Sequence, residues 1–175
     1  MDDKTKSIIA NIKLLALDVD GVLTDGSIIL HHDGTESKRF NLLDGHGIRM
    51  WHRAGLKTAF ISGRETSATA HRAKQLEVTY VFQGCTEKLP VFESLLKETG
   101  LNASQIAYVG DDVMDIPLLR RAGFGAAVAN AADDVKQYAA YVTKNAGGSG
   151  AVREVIEYLL KNAGRWDELM KRYLV

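Results

Sequence analysis

The sequence predicts an α/β protein, a Rossmann-like doubly wound parallel sheet flanked by helices, and three observations carry that expectation. Short, continuous apolar runs alternate with amphipathic segments along most of the chain. The runs do not alternate polar with apolar residues, so they read as strands buried on both faces, as in parallel sheets covered by helices. Polar and charged residues gather directly after these runs, at the carboxyl ends of the strands, where open parallel sheets bind their ligands.

In order, strands are expected at 14–19, 57–61, 79–82, 106–109 and 125–128, with a short one at 141–143. Between them, the 3.6-residue pattern predicts helices at about 47–53, 66–76, 88–99, 114–122 and 132–138. Two more are expected at 151–162 and 167–173. Pro90 and Pro117 both fall near expected helix starts, where proline is tolerated. One segment breaks the alternation. Ser27-Ile28-Ile29-Leu30 and the stretch from Glu36 to Asn41 flank His31-His32-Asp33-Gly34-Thr35, and Asp-Gly signals a tight turn. Residues 27–41 therefore read as a projecting β-hairpin whose apolar first strand needs a partner surface. The chain is expected to form a single domain over 1–175, with the hairpin at about 27–41 and a tail at about 146–175.

Composition narrows the function classes. With 175 residues and 46% hydrophobic content the chain can bury one proper core. Lys plus Arg and Asp plus Glu both number 22, so the formal charge is zero and nucleic-acid or membrane-surface partners are not expected. Cys85 is the one cysteine, so no intramolecular disulfide can form. The start of the chain lacks a signal-peptide pattern and no run of about 18 apolar residues exists, which makes a cytoplasmic protein the expectation. The five histidines match no zinc spacing.

The strand ends carry the chemistry. The first leads into Asp18-Val19-Asp20-Gly21-Val22-Leu23-Thr24. Two carboxylates so placed can divide labour, one attacking or ligating a metal while the other moves a proton. The second strand ends on Ser62-Gly63-Arg64, a hydroxyl and backbone amides at a helix entrance, suited to phosphate oxygens. The third leads to Lys88, and the fourth delivers Gly110-Asp111-Asp112 with Asp115 one turn on. Singly, each has an ordinary reading: Ser62 as an N-cap, Lys88 as a solvated lysine, Asp111 and Asp112 as caps or loop acids, Asp115 as a surface residue. Together they bring acid, hydroxyl, cation and acid to one sheet edge. Asp18 and Asp111 would repel each other there, and a hard divalent cation with oxygen ligands resolves that conflict.

These four stretches resemble the motifs of the haloacid dehalogenase superfamily of phosphatases. Phe40-Asn41, Asp44-Gly45, Gly47-Ile48-Arg49, Tyr108-Val109-Gly110-Asp111-Asp112 and the tail Gly147-Gly148-Ser149-Gly150-Ala151-Val152-Arg153-Glu154 are similar to one group within it. That group is the 3-deoxy-D-manno-octulosonate 8-phosphate (KDO 8-phosphate) phosphatases of lipopolysaccharide precursor synthesis. The resemblance implies Asp18 as nucleophile, Asp20 as acid and base, and Ser62 and Lys88 as holders of the phosphoryl oxygens. It implies Mg²⁺ on Asp18, the backbone carbonyl of Asp20, and Asp111, with Asp112 and Asp115 orienting water or Lys88. Gly63, Arg64 and Arg72 are the residues expected to meet the substrate, a small sugar-acid phosphate.

Many relatives carry a cap domain after the first or second strand, and here neither gap has room for one. The resemblance therefore implies a capless homotetramer in which neighbouring subunits cover the site. Gly147-Gly148-Ser149-Gly150 is expected to give the tail the flexibility to reach across. Similar phosphatases of nine-carbon sialic-type acids tend to have Glu where this chain has Arg64, which favours the eight-carbon substrate over a nonulosonate 9-phosphate. The chain departs from the pattern at Leu43, where similar enzymes often carry a basic residue. A non-enzymatic phosphoacceptor or regulatory domain is the contrasting reading. Receivers place their phosphorylated Asp on a later strand and have no acid two residues beyond, so Asp20 separates the two.

Overall fold

The computed structural model describes residues 3–175. Its helices and strands run in the order α1 (Asp3–Asn11), β1 (Leu14–Leu17), β2 (Ile29–Leu30), β3 (Glu36–Ser37), α2 (Leu42–Arg53), β4 (Lys57–Ile61), α3 (Ser67–Leu76), β5 (Tyr80–Phe82) and α4 (Lys88–Thr99). Then follow β6 (Ile106–Gly110), α5 (Ile116–Arg121), β7 (Phe124–Ala127), α6 (Asp133–Lys136), β8 (Tyr141–Val142), α7 (Ala151–Asn162) and α8 (Trp166–Met170).

Six strands form one sheet in the order β5-β4-β1-β6-β7-β8, every neighbouring pair parallel. The chain winds outward from β1 through β4 to β5, then crosses to β6 and winds the other way. The reversal lies between β1 and β6, where Leu14 pairs with Ile106 and Leu17 with Val109. Both strands are buried along their whole length. Each of their buried Leu, Ile and Val side chains contributes about 1.5–3 kcal/mol, which fixes the position of whatever leaves their carboxyl ends. One helical layer packs α2 on α3 and α7, with α1 and α8 also on α7, and a second packs α4 on α5. No cap domain follows β1 or β4. Among the described residues no helix is long and apolar enough to cross a membrane.

Three expected strands or helices coincide with the structure, β4, α4 and α7, and others shift. α2 begins at Leu42 rather than 47, because the Asn41 side chain caps it, accepting from the Leu43 amide at 2.7 Å. The glycines that argue against helix there answer to packing instead. A Cβ on Gly47 would lie 3.1 Å from Arg153 Cδ, where α2 meets α7. The segment expected as one helix at 114–122 splits into a 3₁₀ turn, Val113–Asp115, and α5. The Asp115 carboxylate turns back to accept the amides of Asp111 and Asp112, which tightens that turn. The helix α1 has no counterpart among the expectations.

The hairpin is present but short, pairing Ile29 with Ser37 and Leu30 with Glu36. His31 to Gly34 closes its turn. The tail is not a loose arm. Gly147 and Gly148 lie against the backbone of Gly21 and Thr24, so closely that a Cβ on Gly147 would fall 1.7 Å from the Gly21 carbonyl oxygen. Gly148 donates its amide to Val22 O, Asn130 accepts the Gly147 amide, and α7 starts at once. These glycines permit close approach, in place of the flexibility expected of them.

Candidate active site

At the end of β1 the chain turns sharply. The Val19 carbonyl accepts the amides of Leu23 and Thr24, and Thr24 Oγ1 accepts those of Gly21 and Gly26. Gly21 has φ +87°, and a Cβ there would meet Asp111 Oδ2 at 2.0 Å. The loop from β1 and the loop from β6 therefore touch at a position that tolerates only glycine.

Lys88, the first residue of α4, projects into this crevice with its side chain 3% exposed. Its Nζ lies 2.7 Å from Asp18 Oδ2 and 2.6 Å from Asp115 Oδ1. Asp115 Oδ1 also accepts from the Tyr108 hydroxyl at 2.6 Å, and Oδ2 accepts the Asp111 and Asp112 amides. All the usual acceptor sites of Asp115 are thereby engaged. Burial opposes the charge of Lys88, but Asp18 and Asp115 outweigh it and raise its pKa. Burial, then the charge of Asp115, raises Asp18 to about 6 against the pull of Lys88. Burial, then Asp18 and Asp115, pushes Asp111 up to about 8, and Asp111 Oδ1 is buried without a partner among the described residues.

That orphaned oxygen is the test of whether the residues suit a cation. Carboxylate oxygens of Asp18, Asp111 and Asp115 lie within 4.8 Å of one another, a hard-oxygen cluster carrying excess negative charge. Asp115 is already saturated by Lys88, Tyr108 and two amides, so the donors that remain are Asp111, with its unpartnered oxygen, and Asp18, whose two oxygens each have one partner, Val19 N and Lys88 Nζ, and keep a lone pair. The residues fit a divalent cation.

A cleft of about 210 Å³ opens over this cluster, lined by Asp18, Asp20, Gly63, Arg64, Lys88, Asp111, Asp112 and Met114. Pockets that enclose a ligand measure roughly 300–1,000 Å³, so this one suits the head of a substrate and leaves the rest uncovered. Eight of the ten expected site residues lie in it or, like Asp115, directly beneath it. Two do not line it. The Ser62 hydroxyl is turned into its own loop, donating to Arg64 O at 2.9 Å. Arg72 is held by the Asn41 carbonyl and lies over the Phe40 ring, at the α2–α3 contact. The N-cap expected near Ser62 is supplied by Thr66.

The sequence reading gave no site role to four residues found there, and Met114, which lines the cleft, is the first. Lys38 Nζ meets both oxygens of Asp20, at 2.6 and 2.8 Å, with its side chain 3% exposed. Glu36 pairs with Arg64 at 2.6 Å. The period-2 alternation of an extended strand puts Glu36 and Lys38 on one face, which is the signal that was there to be used. Tyr108, at the centre of β6, is the fourth: it stood in the stretch that carries the resemblance but without a role, and its hydroxyl holds Asp115.

Comparison with known proteins agrees with this geometry. A family model for haloacid dehalogenase-like hydrolases matches residues 81–156. The chain is 44% identical over 158 residues to the 3-deoxy-D-manno-octulosonate 8-phosphate phosphatase KdsC of Escherichia coli (strain K12), covering 90% of this chain and 84% of that one. It superposes with a TM-score of 0.95 and 38% identity on the crystal structure of the 3-deoxy-D-manno-octulosonate 8-phosphate phosphatase from Moraxella catarrhalis in complex with magnesium ion, phosphate ion and a KDO molecule, covering 99% of each chain. A cobalt-bound form of the Haemophilus influenzae phosphatase matches with a TM-score of 0.87 and 38% identity over 90% of this chain and 92% of that one. With its acids at the β1–β6 reversal and no cap over them, the chain belongs to the KDO 8-phosphate phosphatase family of haloacid dehalogenase-like hydrolases.

Proposed function

We propose that the chain is a phosphoric monoester hydrolase, one domain over residues 1–175, that converts KDO 8-phosphate to the free sugar acid and phosphate in the cytoplasm. The observation that carries this reading is the lysine-bridged pair Asp18–Lys88–Asp115 beside the orphaned Oδ1 of Asp111, placed where the sheet reverses. An Asp18 oxygen attacks phosphorus as the bond to the sugar oxygen breaks, and the departing oxygen takes its proton from Asp20. In the second half Asp20 removes a proton from water, which attacks the aspartyl phosphate and frees Asp18. Lys88 is already against the attacking carboxylate, so its charge is in place for the phosphoryl oxygens without reorganisation. The Gly63 backbone shares that task, and the Ser62 hydroxyl joins it on rotating away from the Arg64 carbonyl.

Asp18, Asp111 and the backbone carbonyl of Asp20 would hold Mg²⁺, which when bound shields the anionic phosphate from the carboxylate that attacks it. Asp115 fixes Lys88, and Asp112 caps the turn that presents Asp111. Arg64 meets the substrate carboxylate at the cleft wall. Arg72 is left out of this reading because it does not line the cleft and is held by the Asn41 carbonyl at the α2–α3 contact. The active unit is a homotetramer whose neighbours cover the open cleft. The strip Ile28, Ile29 and Leu30, exposed by 50%, 46% and 70%, supports an interface there.

The test is phosphate release with and without Mg²⁺ from KDO 8-phosphate, a nonulosonate 9-phosphate and simple phosphate esters. The expected result is a Mg²⁺-dependent kcat/KM highest for KDO 8-phosphate. A higher value for the nine-carbon ester would reassign the substrate, and no release from any ester would leave a phosphoacceptor domain.

A further inference from the structure

The hairpin reaches the site through a buried contact that the steps assigned to Asp18 and Asp20 do not use. Lys38 leaves the end of β3 and inserts its ammonium against both oxygens of Asp20. Its side chain is 3% exposed, whereas Arg39 next to it is 80% exposed and pairs with Asp25 at the surface. Tethering the hairpin does not require Lys38, because Arg39–Asp25 and Glu36–Arg64 already do so. Burying an ammonium is costly unless something gains from its position. What is gained is a carboxylate held at both oxygens, on a side chain that lines the cleft.

We infer that Lys38 is a positioning residue for proton transfer, fixing the Asp20 carboxyl so that one oxygen faces the departing sugar oxygen. This rests on the reading of Asp20 as the acid. As the Asp18–phosphorus bond forms and the phosphorus–sugar oxygen bond breaks, the electron pair moves to the sugar oxygen, which takes the Asp20 proton. The resulting carboxylate is left in contact with the Lys38 ammonium. An alkoxide leaving group needs that proton, whereas p-nitrophenolate departs without it, so the leaving group reports on Lys38 directly.

The experiment measures kcat/KM for KDO 8-phosphate and p-nitrophenyl phosphate with wild type, Lys38→Met, Lys38→Arg, Arg39→Ala and Asp20→Asn. General acid catalysis contributes about 10²–10⁴-fold, so displacing the acid in Lys38→Met is expected to lower the KDO 8-phosphate value by about tenfold or more, through kcat rather than KM. The p-nitrophenyl phosphate value should stay near wild type, which also shows that the variant is folded, and Lys38→Arg should recover part of the loss. Equal losses on both substrates, no loss on either, or the same selective loss in Arg39→Ala would overturn the inference. Asp20→Asn separates the two levels. If it is selective and Lys38→Met is not, only the role of Lys38 falls; if Asp20→Asn itself is unselective, the acid assignment beneath it falls too.

Discussion

Asp18 and Asp20 are two residues apart, yet each meets a lysine in different surroundings. Lys88 comes from the first turn of a twelve-residue helix and bridges two carboxylates, one of them locked by a tyrosine and two amides. Lys38 comes from a hairpin of two-residue strands whose apolar side chains face solvent. The floor of the site is thus set by the core of the sheet, and its rim by a segment tied down mainly through ion pairs. Geometry that must not move sits on the floor, while geometry that can be adjusted by what covers the hairpin sits on the rim.

Breaking the floor should cost most. Asp18→Asn is expected to remove about 10⁴-fold of kcat, equivalent to about 5.5 kcal/mol, since nucleophile and base act as one unit. Single-turnover phosphate release measures it, and wild-type-like turnover by the folded variant would refute the nucleophile. Lys88→Met follows. It strands two buried carboxylates, so a stability loss of about 3–5 kcal/mol should appear in urea unfolding together with lost activity. A loss of activity without a loss of stability would show the floor to be less rigid than the comparison requires.

The acids themselves supply a third test. Asp18 and Asp111 keep their protons in the native state up to about 6 and about 8, whereas the unfolded chain releases them near pH 4. The native state therefore binds more protons across that window, and stability of the metal-free protein falls as pH rises through it. Mg²⁺ needs the ionised carboxylates, so its stabilisation grows over the same range, reaching about 2.7 kcal/mol at a hundred times its Kd. Thermal unfolding with and without Mg²⁺ at about pH 5 and about pH 8 gives the comparison, and a Mg²⁺ effect independent of pH would sink it. The smallest effect is expected from Tyr108→Phe, which removes one hydrogen bond to Asp115 and should cost about 1 kcal/mol with turnover nearly retained. A large drop in kcat would mean that Asp115 needs Tyr108 to hold Lys88.

Legibility in the sequence follows the same division. Asp18, Lys88, Asp111 and Asp115 could be gathered from the sequence because each follows a strand whose apolar run is unmistakable. Parallel order then brings those strand ends together. Lys38 could not be found this way, because the hairpin follows no strand of the main sheet and its register depends on a turn. The early start of α2 was hidden by Gly45, which weakens helix propensity locally and is favoured by contact with Arg72. Ser62 was legible as a residue of the right kind, but the orientation of its hydroxyl depends on the Arg64 carbonyl two residues on.

The seating of Gly147 and Gly148 on the Gly21–Thr24 backbone has a dynamic consequence. The loop that carries both aspartates cannot lift away unless the segment leading into α7 lifts with it. Hydrogen exchange should therefore find the amides of Leu23, Thr24 and Gly148 opening together as one cooperative unit, slower than the hairpin and faster than β1. A protease cut ahead of α7 would silence the enzyme while leaving its central strands paired.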